Sequence, residues 1–179
     1  LVPKKGVDVL IRAFAQAHAQ HPDAVLALVG GNDSGFGDQE TRYRALAREL
    51  GVEDKVYFTG FRPEVAPYVA DFDVNVLPSI EPESFGRVLI EGMAFGVPAV
   101  AAADGGAVEV VDDEKNGLWA QPGEVDDLGR QLARLLGDRE MRERLGEQGY
   151  RDVHDRYEAR RVSERITELL ERVSAAARR

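Results

Sequence analysis

Residues 81–98 read Glu81-Pro82-Glu83-Ser84-Phe85-Gly86-Arg87-Val88-Leu89-Ile90-Glu91-Gly92-Met93-Ala94-Phe95-Gly96-Val97-Pro98, so that two carboxylates, Glu83 and Glu91, bracket seven residues. The apolar run Asp73 to Leu77 ahead of them reads as a buried strand, Pro78 breaks it, and Val88 to Phe95 resume with helical spacing. Glu83 is therefore expected in a loop at the carboxyl end of a strand, and Glu91 on the helix that follows. Such a junction presents unpaired backbone N–H groups and the positive end of a helix dipole, a setting that attracts phosphate. Gly86 lets the backbone come close. A carboxylate accepts two hydroxyl hydrogen bonds in fixed geometry, which suits a sugar ring. A ligand with both phosphate and sugar hydroxyls, such as a nucleotide sugar, satisfies both features.

Outward from this stretch, strands and helices alternate. Helices are predicted at Val7–Gln20, Glu40–Leu50 (closed by Gly51), Pro63–Val69, Arg87–Phe95 and, briefly, Val108–Val111. Strands are predicted at Ala24–Val29, Val56–Thr59, Asp73–Leu77, Pro98–Ala102 and Gly117–Trp119, and three charged amphipathic helices at Val125–Leu136, Arg139–Gly149 and His154–Val173. Strands that are apolar throughout and separated by helices predict an α/β fold, a doubly wound parallel sheet covered on both faces. Its binding crevice belongs at the carboxyl ends of the strands, where the Lys5, Phe61 and Glu83 segments all fall.

The segment around Glu83 and Glu91 resembles the Glu-x7-Glu signature, in its Glu-x-Phe-Gly form, of the retaining glycosyltransferases of GT-B fold known as group 1 or family 4. Three other stretches are similar to motifs of that family in the same order: Lys5-Gly6-Val7-Asp8-Val9-Leu10-Ile11, the strand end Val56 to Phe61, and the turn Gly105-Gly106-Ala107-Val108-Glu109. Together they cover roughly the first two thirds of the chain. The resemblance implies a Rossmann-like, carboxyl-terminal half of a GT-B fold, with residues 1–174 as a nucleotide-sugar-binding domain; the Ala- and Arg-rich residues 175–179 are expected to form a frayed tail. It also implies an amino-terminal acceptor-binding domain outside this sequence. The family's first strand, which lies ahead of the Lys-Gly motif and centrally in the sheet, is then missing, leaving Ala24–Val29 and Asp73–Leu77 without direct pairing.

The activity so implied is transfer of a hexosyl group from a UDP-, GDP- or ADP-sugar to an acceptor hydroxyl with retention. Lys5 and the backbone donors of Phe85, Gly86 and Arg87 are expected to stabilise the departing diphosphate. Glu83 is expected to hold the sugar hydroxyls and Glu91 the ribose hydroxyls. Phe61 and Arg62 are candidates to stack on the nucleobase, and Ser84 and Val88 complete the donor-binding set. No metal and no cofactor is expected, since lysine and the helix end balance the charge. A non-catalytic nucleotide-sugar-binding module keeps the same crevice, and a GT-B sugar epimerase is a further alternative that the Glu83-Ser84-Phe85-Gly86 and Lys5-Gly6 segments argue against.

Composition bounds these readings. A chain of 179 residues is long enough for one buried core. With no Cys there is no disulfide, thiolate zinc site or cysteine nucleophile. A net charge of −9 disfavours nucleic acid. The absence of a long apolar run suggests a cytoplasmic setting, membrane-peripheral at most through the other domain. Asp71-Phe72-Asp73 spells a metal-binding Asp-x-Asp, but it enters a strand at its amino end, away from the crevice. His18, His21 and His154 lack a second ligand at metal spacing.

Overall fold

The computed structural model describes residues 1–176, with side chains as far as Ser174. Helices α1 (Val7–His18), α2 (Gln39–Glu49), α3 (Ala66–Ala70), α4 (Arg87–Met93) and α5 (Ala107–Val110) alternate with strands β1 (Leu26–Val29), β2 (Val56–Gly60), β3 (Asn75–Leu77), β4 (Ala99–Ala102) and β5 (Gly117–Ala120). Three helices follow: α6 (Val125–Gly137), α7 (Arg139–Arg156) and α8 (Ala159–Ala176). All pairings between strands are parallel: β1 with β2, and β3–β4–β5 with β4 in the middle.

Each element follows from its residues. Val7, Leu10, Ile11, Phe14 and Ala17 form one buried stripe on α1, which packs along α6. Asp38 and Asp138 cap α2 and α7 by accepting from the N–H groups of Thr41 and Met141. On β4, Ala99–Ala102 is buried throughout and its residues alternate between layers. Val100 joins a core built from α1, α2, β1 and α6, whereas Ala99 and Ala101 join a second core with Leu89, Met93 and Val110. Both faces of the sheet are therefore covered, as expected of a doubly wound fold.

β1 and β3 are not hydrogen-bonded to each other, so the sheet is interrupted where the sequence reading placed the break. The segment Leu1–Lys5 lies across this seam. The Leu1 nitrogen donates to the Gly31 carbonyl beyond β1, and the Lys4 carbonyl accepts from Ile80 N–H beyond β3 at 3.0 Å.

The main difference from the sequence reading lies in the carboxyl-terminal helices. A break after Gly149 was expected; instead α7 continues to Arg156, and the chain turns at Tyr157-Glu158. Gly149 is an interior contact, not a stop: a Cβ there would stand 2.9 Å from Met93 Cγ. One turn on, Asp152 accepts from Asn116 Nδ2 at 2.8 Å, and this tertiary contact carries the helix past the glycine. Strand and helix ends elsewhere shift by a few residues, as β3 shows by starting at Asn75. The tail expected over 175–179 lies, for 177–179, outside the described residues, and Ala175 and Ala176 continue α8. Among the described residues no helix is long and apolar enough to cross a membrane.

Asn116 is fully buried and pins α7 to the sheet. Its Oδ1 accepts from Asp112 N–H at 2.8 Å, and its Nδ2 donates to Val110 O at 3.2 Å as well as to Asp152. Replacing it by Ala leaves buried groups unpaired, which costs about 1–3 kcal/mol. Asn116→Ala should lower the urea midpoint accordingly with an unchanged slope; an unchanged midpoint would show that this pin carries no stability.

Candidate functional site

The loop from Pro78 to Gly86 lies between two glycine turns. On one side, Gly6 ends the 3₁₀ turn Pro3–Lys5 at φ 64°, and a Cβ there would stand 2.1 Å from the Pro78 carbonyl oxygen. Only glycine permits both the left-handed backbone and that approach. On the other side, a Cβ on Gly105 would stand 2.3 Å from Glu83 O, and one on Gly106 2.6 Å from Phe85 Cα. Gly106 N–H donates to Glu83 O at 2.7 Å. The Lys-Gly and Gly-Gly motifs, far apart in sequence, thus clasp the same loop.

This clasp brings Lys5 onto Glu83. Their side chains form an ion pair, and the Ser79 hydroxyl donates to the same carboxylate oxygen. Burial pushes the Glu83 carboxyl up, but hydrogen bonds from Lys5 and Ser79 and the charges of Lys5 and Lys4 outweigh it and hold it below its ordinary value of 4.5. Glu83 is therefore ionised at neutral pH. Lys4 adds a second, more distant positive charge near this carboxylate.

α4 starts directly after the loop, with Gly86 at φ 78° as its N-cap. The N–H groups of Phe85, Gly86 and Arg87 take no hydrogen-bond partner among the described residues. Arg87 pairs with Glu91 at 2.9 Å across one helical turn, with the Arg87 side chain largely exposed and the Glu91 side chain about one-third exposed. Ser84 and Val88 are exposed beside them.

Other expected site residues stand apart from this cluster. Phe61 follows β2 on the far side of the seam; it is 77% exposed and its backbone abuts Gly31. The Arg62 guanidinium is turned toward α3, 5.9 Å from the Tyr68 ring centroid. Among the described residues no hydrogen bond or ion pair joins Glu91 to the Lys5–Glu83 pair. Asp73 lies at the opposite end of the sheet, 4.0 Å from Arg142, where a cavity of about 470 Å³ is lined by His21, Asp73 and Arg142 among others.

Two participants were not found from the sequence. Ser79 is 3% exposed and spends its hydroxyl on Glu83, but a serine in a strand-exit loop carries no distinguishing pattern; its spacing of four before the acid was the available signal. Tyr157 meets the Phe85 ring edge-on, at 5.8 Å and 74° between planes. Nothing local in sequence ties the two.

The Glu83 titration yields a sign that can be checked. A folded-state value below the unfolded one adds stability above about pH 4.5, lost as pH falls through the lowered folded value. Lys5→Met removes a hydrogen bond and a charge while leaving the burial. The Glu83 carboxyl should then titrate at higher pH in carbon-detected NMR, and the acid limb of the stability curve should move up with it. An unmoved titration would show that Lys5 does not hold this carboxylate.

A family model described as "Glycosyl transferases group 1" matches residues 1–152. The chain is 35% identical over 178 residues to "GDP-mannose-dependent alpha-(1-6)-phosphatidylinositol monomannoside mannosyltransferase" of Mycolicibacterium smegmatis, covering 95% of this chain and 45% of that protein. It superposes with TM-score 0.90 on the crystal structure of Anabaena Alr3699/HepE in complex with UDP, at 32% identity, covering 96% of this chain and 46% of that one. The carboxyl-terminal domain of a glycosyl transferase group 1 family protein, LpcC of Francisella tularensis, shares the fold at 22% identity and TM-score 0.82, with 89% of this chain and 83% of that one covered. The chain spans less than half the length of the curated relatives it matches. Its fold is that of the carboxyl-terminal, Rossmann-like domain of GT-B glycosyltransferases. By the extent of these matches, the chain belongs to the glycosyl transferases group 1 family.

Proposed function

We propose that this domain binds the nucleoside-diphosphate sugar of a retaining hexosyltransferase and acts together with an amino-terminal acceptor domain. The observation that carries the reading is the Lys5–Glu83–Ser79 cluster, clasped between two glycine turns beside three unpartnered backbone N–H groups at the carboxyl end of β3. A cation and free N–H donors receive the diphosphate, and a carboxylate in the same cluster receives sugar hydroxyls. The relatives' names supply the ligand class: one is GDP-mannose-dependent, and HepE has been crystallised with UDP and with UDP-glucose.

The mechanism is electrostatic. As the glycosidic bond to the diphosphate lengthens, negative charge grows on the leaving group, and Lys5 with the N–H groups of Phe85, Gly86 and Arg87 stabilises it. Lys5 is paired with Glu83, so the donor must share it. The sugar hydroxyls that then donate to Glu83 replace the contact that Lys5 gives up. Glu91 likewise exchanges its surface ion pair with Arg87 for the ribose hydroxyls, and Ser84 and Val88 border the sugar. Phe61 and Arg62, across the seam, take the nucleobase, with Arg62 leaving Tyr68. No metal or resident cofactor enters this scheme, and the domain works on the cytoplasmic side. The partner half has a landing place in α8, whose residues Val162, Ile166, Leu169, Leu170 and Val173 are all exposed.

The division of roles is tested by calorimetry. Glu91→Ala should weaken free UDP or GDP, whereas Glu83→Ala should weaken chiefly the sugar-bearing donor. A lost hydrogen bond to a charged group is worth about 1.5–3 kcal/mol, well within resolution. Equal losses for both variants with both ligands would refute the assignment, and no binding of any nucleoside diphosphate by the unaltered chain would refute the function.

A further inference from the structure

Phe85 is the one large apolar side chain in the Glu83–Gly86 loop, and 44% of it is exposed. Its backbone is gripped from one side by Gly106, while its ring rests edge-on against Tyr157 at the α7–α8 corner. That corner is itself held. Tyr157 N–H closes α7 on Val153 O at 2.9 Å, and its ring is half-buried against the core that contains Leu77, Leu89 and Val153. The Arg156 guanidinium lies 5.2 Å from the Tyr157 ring centroid and donates to Glu109 O at 2.6 Å; the Tyr157 hydroxyl donates to the same oxygen at 3.3 Å. Glu109 closes the Gly-Gly turn that clasps the loop from behind. The end of α7 thus grips both the loop and the turn behind it.

We propose that Tyr157 is a positioning residue for the donor loop, acting through the ring of Phe85. This rests on the donor-site reading given above. The Gly106 N–H···O Glu83 bond and the close packing of Gly106 on Ser84 and Phe85 fix where the loop's backbone passes but put no hold on the Phe85 ring. The contact with Tyr157 supplies that hold, so the N–H groups of Phe85 and Gly86 and the Glu83 carboxylate keep one relative orientation. Tyr157 touches no ligand in this scheme; it sets how much order the loop has before the ligand arrives, and preorganisation of that kind is read out as affinity.

The test uses UDP, GDP and the nucleoside uridine as probes, with amide hydrogen exchange of the ligand-free chain as a second readout. An edge-to-face aromatic pair is worth enough to expect Tyr157→Ala to weaken UDP or GDP about 3- to 10-fold and to speed exchange at Ser84–Arg87. Tyr157→Phe, which keeps the ring and loses only the long hydroxyl contact, should stay near the unaltered chain. Tyr157→Leu, which keeps the packing on the Leu77 core, should behave as Ala does, and it stands in if the Ala variant does not fold. The double variant Phe85→Ala/Tyr157→Ala should bind no more weakly than Phe85→Ala alone, because the effect runs through that ring. Uridine affinity should not respond to either change. Additive losses in the double variant, or unchanged exchange and affinity in Tyr157→Leu, would overturn the proposal. If no nucleoside diphosphate binds the unaltered chain while loop exchange still responds to Tyr157→Leu, the donor-site reading fails and the positioning contact stands.

Discussion

The approach of Gly6 to the Pro78 carbonyl is the constraint on which the site depends. It lets a turn ahead of α1 sit against the loop after β3, and so places an ammonium from one end of the chain on a carboxylate from its middle. A side chain at position 6 would hold the two apart and leave Glu83 partly buried with one donor, Ser79. A partly buried carboxylate that loses its cation is disfavoured in its ionised form, so its titration would move up. The lowered titration of Glu83 is therefore a consequence of backbone packing as much as of the neighbouring charge.

The charged side chains of the candidate site answer one another: Lys5 pairs with Glu83, and Arg87 with Glu91. On the proposed reading a ligand exchanges these contacts and does not simply add to them, so the net gain per contact would be smaller than the hydrogen bonds alone suggest. The two pairs differ in what their exchange costs. Arg87–Glu91 is a surface i,i+4 pair of small worth, whereas Glu83 is more enclosed and carries two donors.

Much of this was legible in the sequence because it is local. The strand–loop–helix reading around Glu83 and Glu91, the helix of Val7 to Ala17 and the apolar strands follow from periodicity within short windows. The break between β1 and β3 was legible only through family resemblance, since nothing in either strand announces a missing neighbour. What escaped was non-local. Gly149 looks like a helix stop until Met93 is placed against it, and the true corner at Tyr157 follows from contacts of Asp152 with Asn116. Ser79 and Tyr157 belong to the site through partners that spacing does not reveal. Phe61, Arg62 and Glu91 were read from pattern and resemblance, and each lies at the carboxyl end of the sheet without touching the Lys5–Glu83 pair.

The seam between β1 and β3 raises the question of what joins the two groups of strands. Phe61 rides on the β1–β2 pair, while Glu83 and the loop that follows it ride on β3–β4–β5, and the strands of these two units share no ladder. Residues Leu1–Lys5 bridge the seam, touching Gly31 on one bank and Ile80 and Glu83 on the other. The Lys5–Glu83 pair is thus a tie between two groups of strands that share no ladder, as well as a local ion pair.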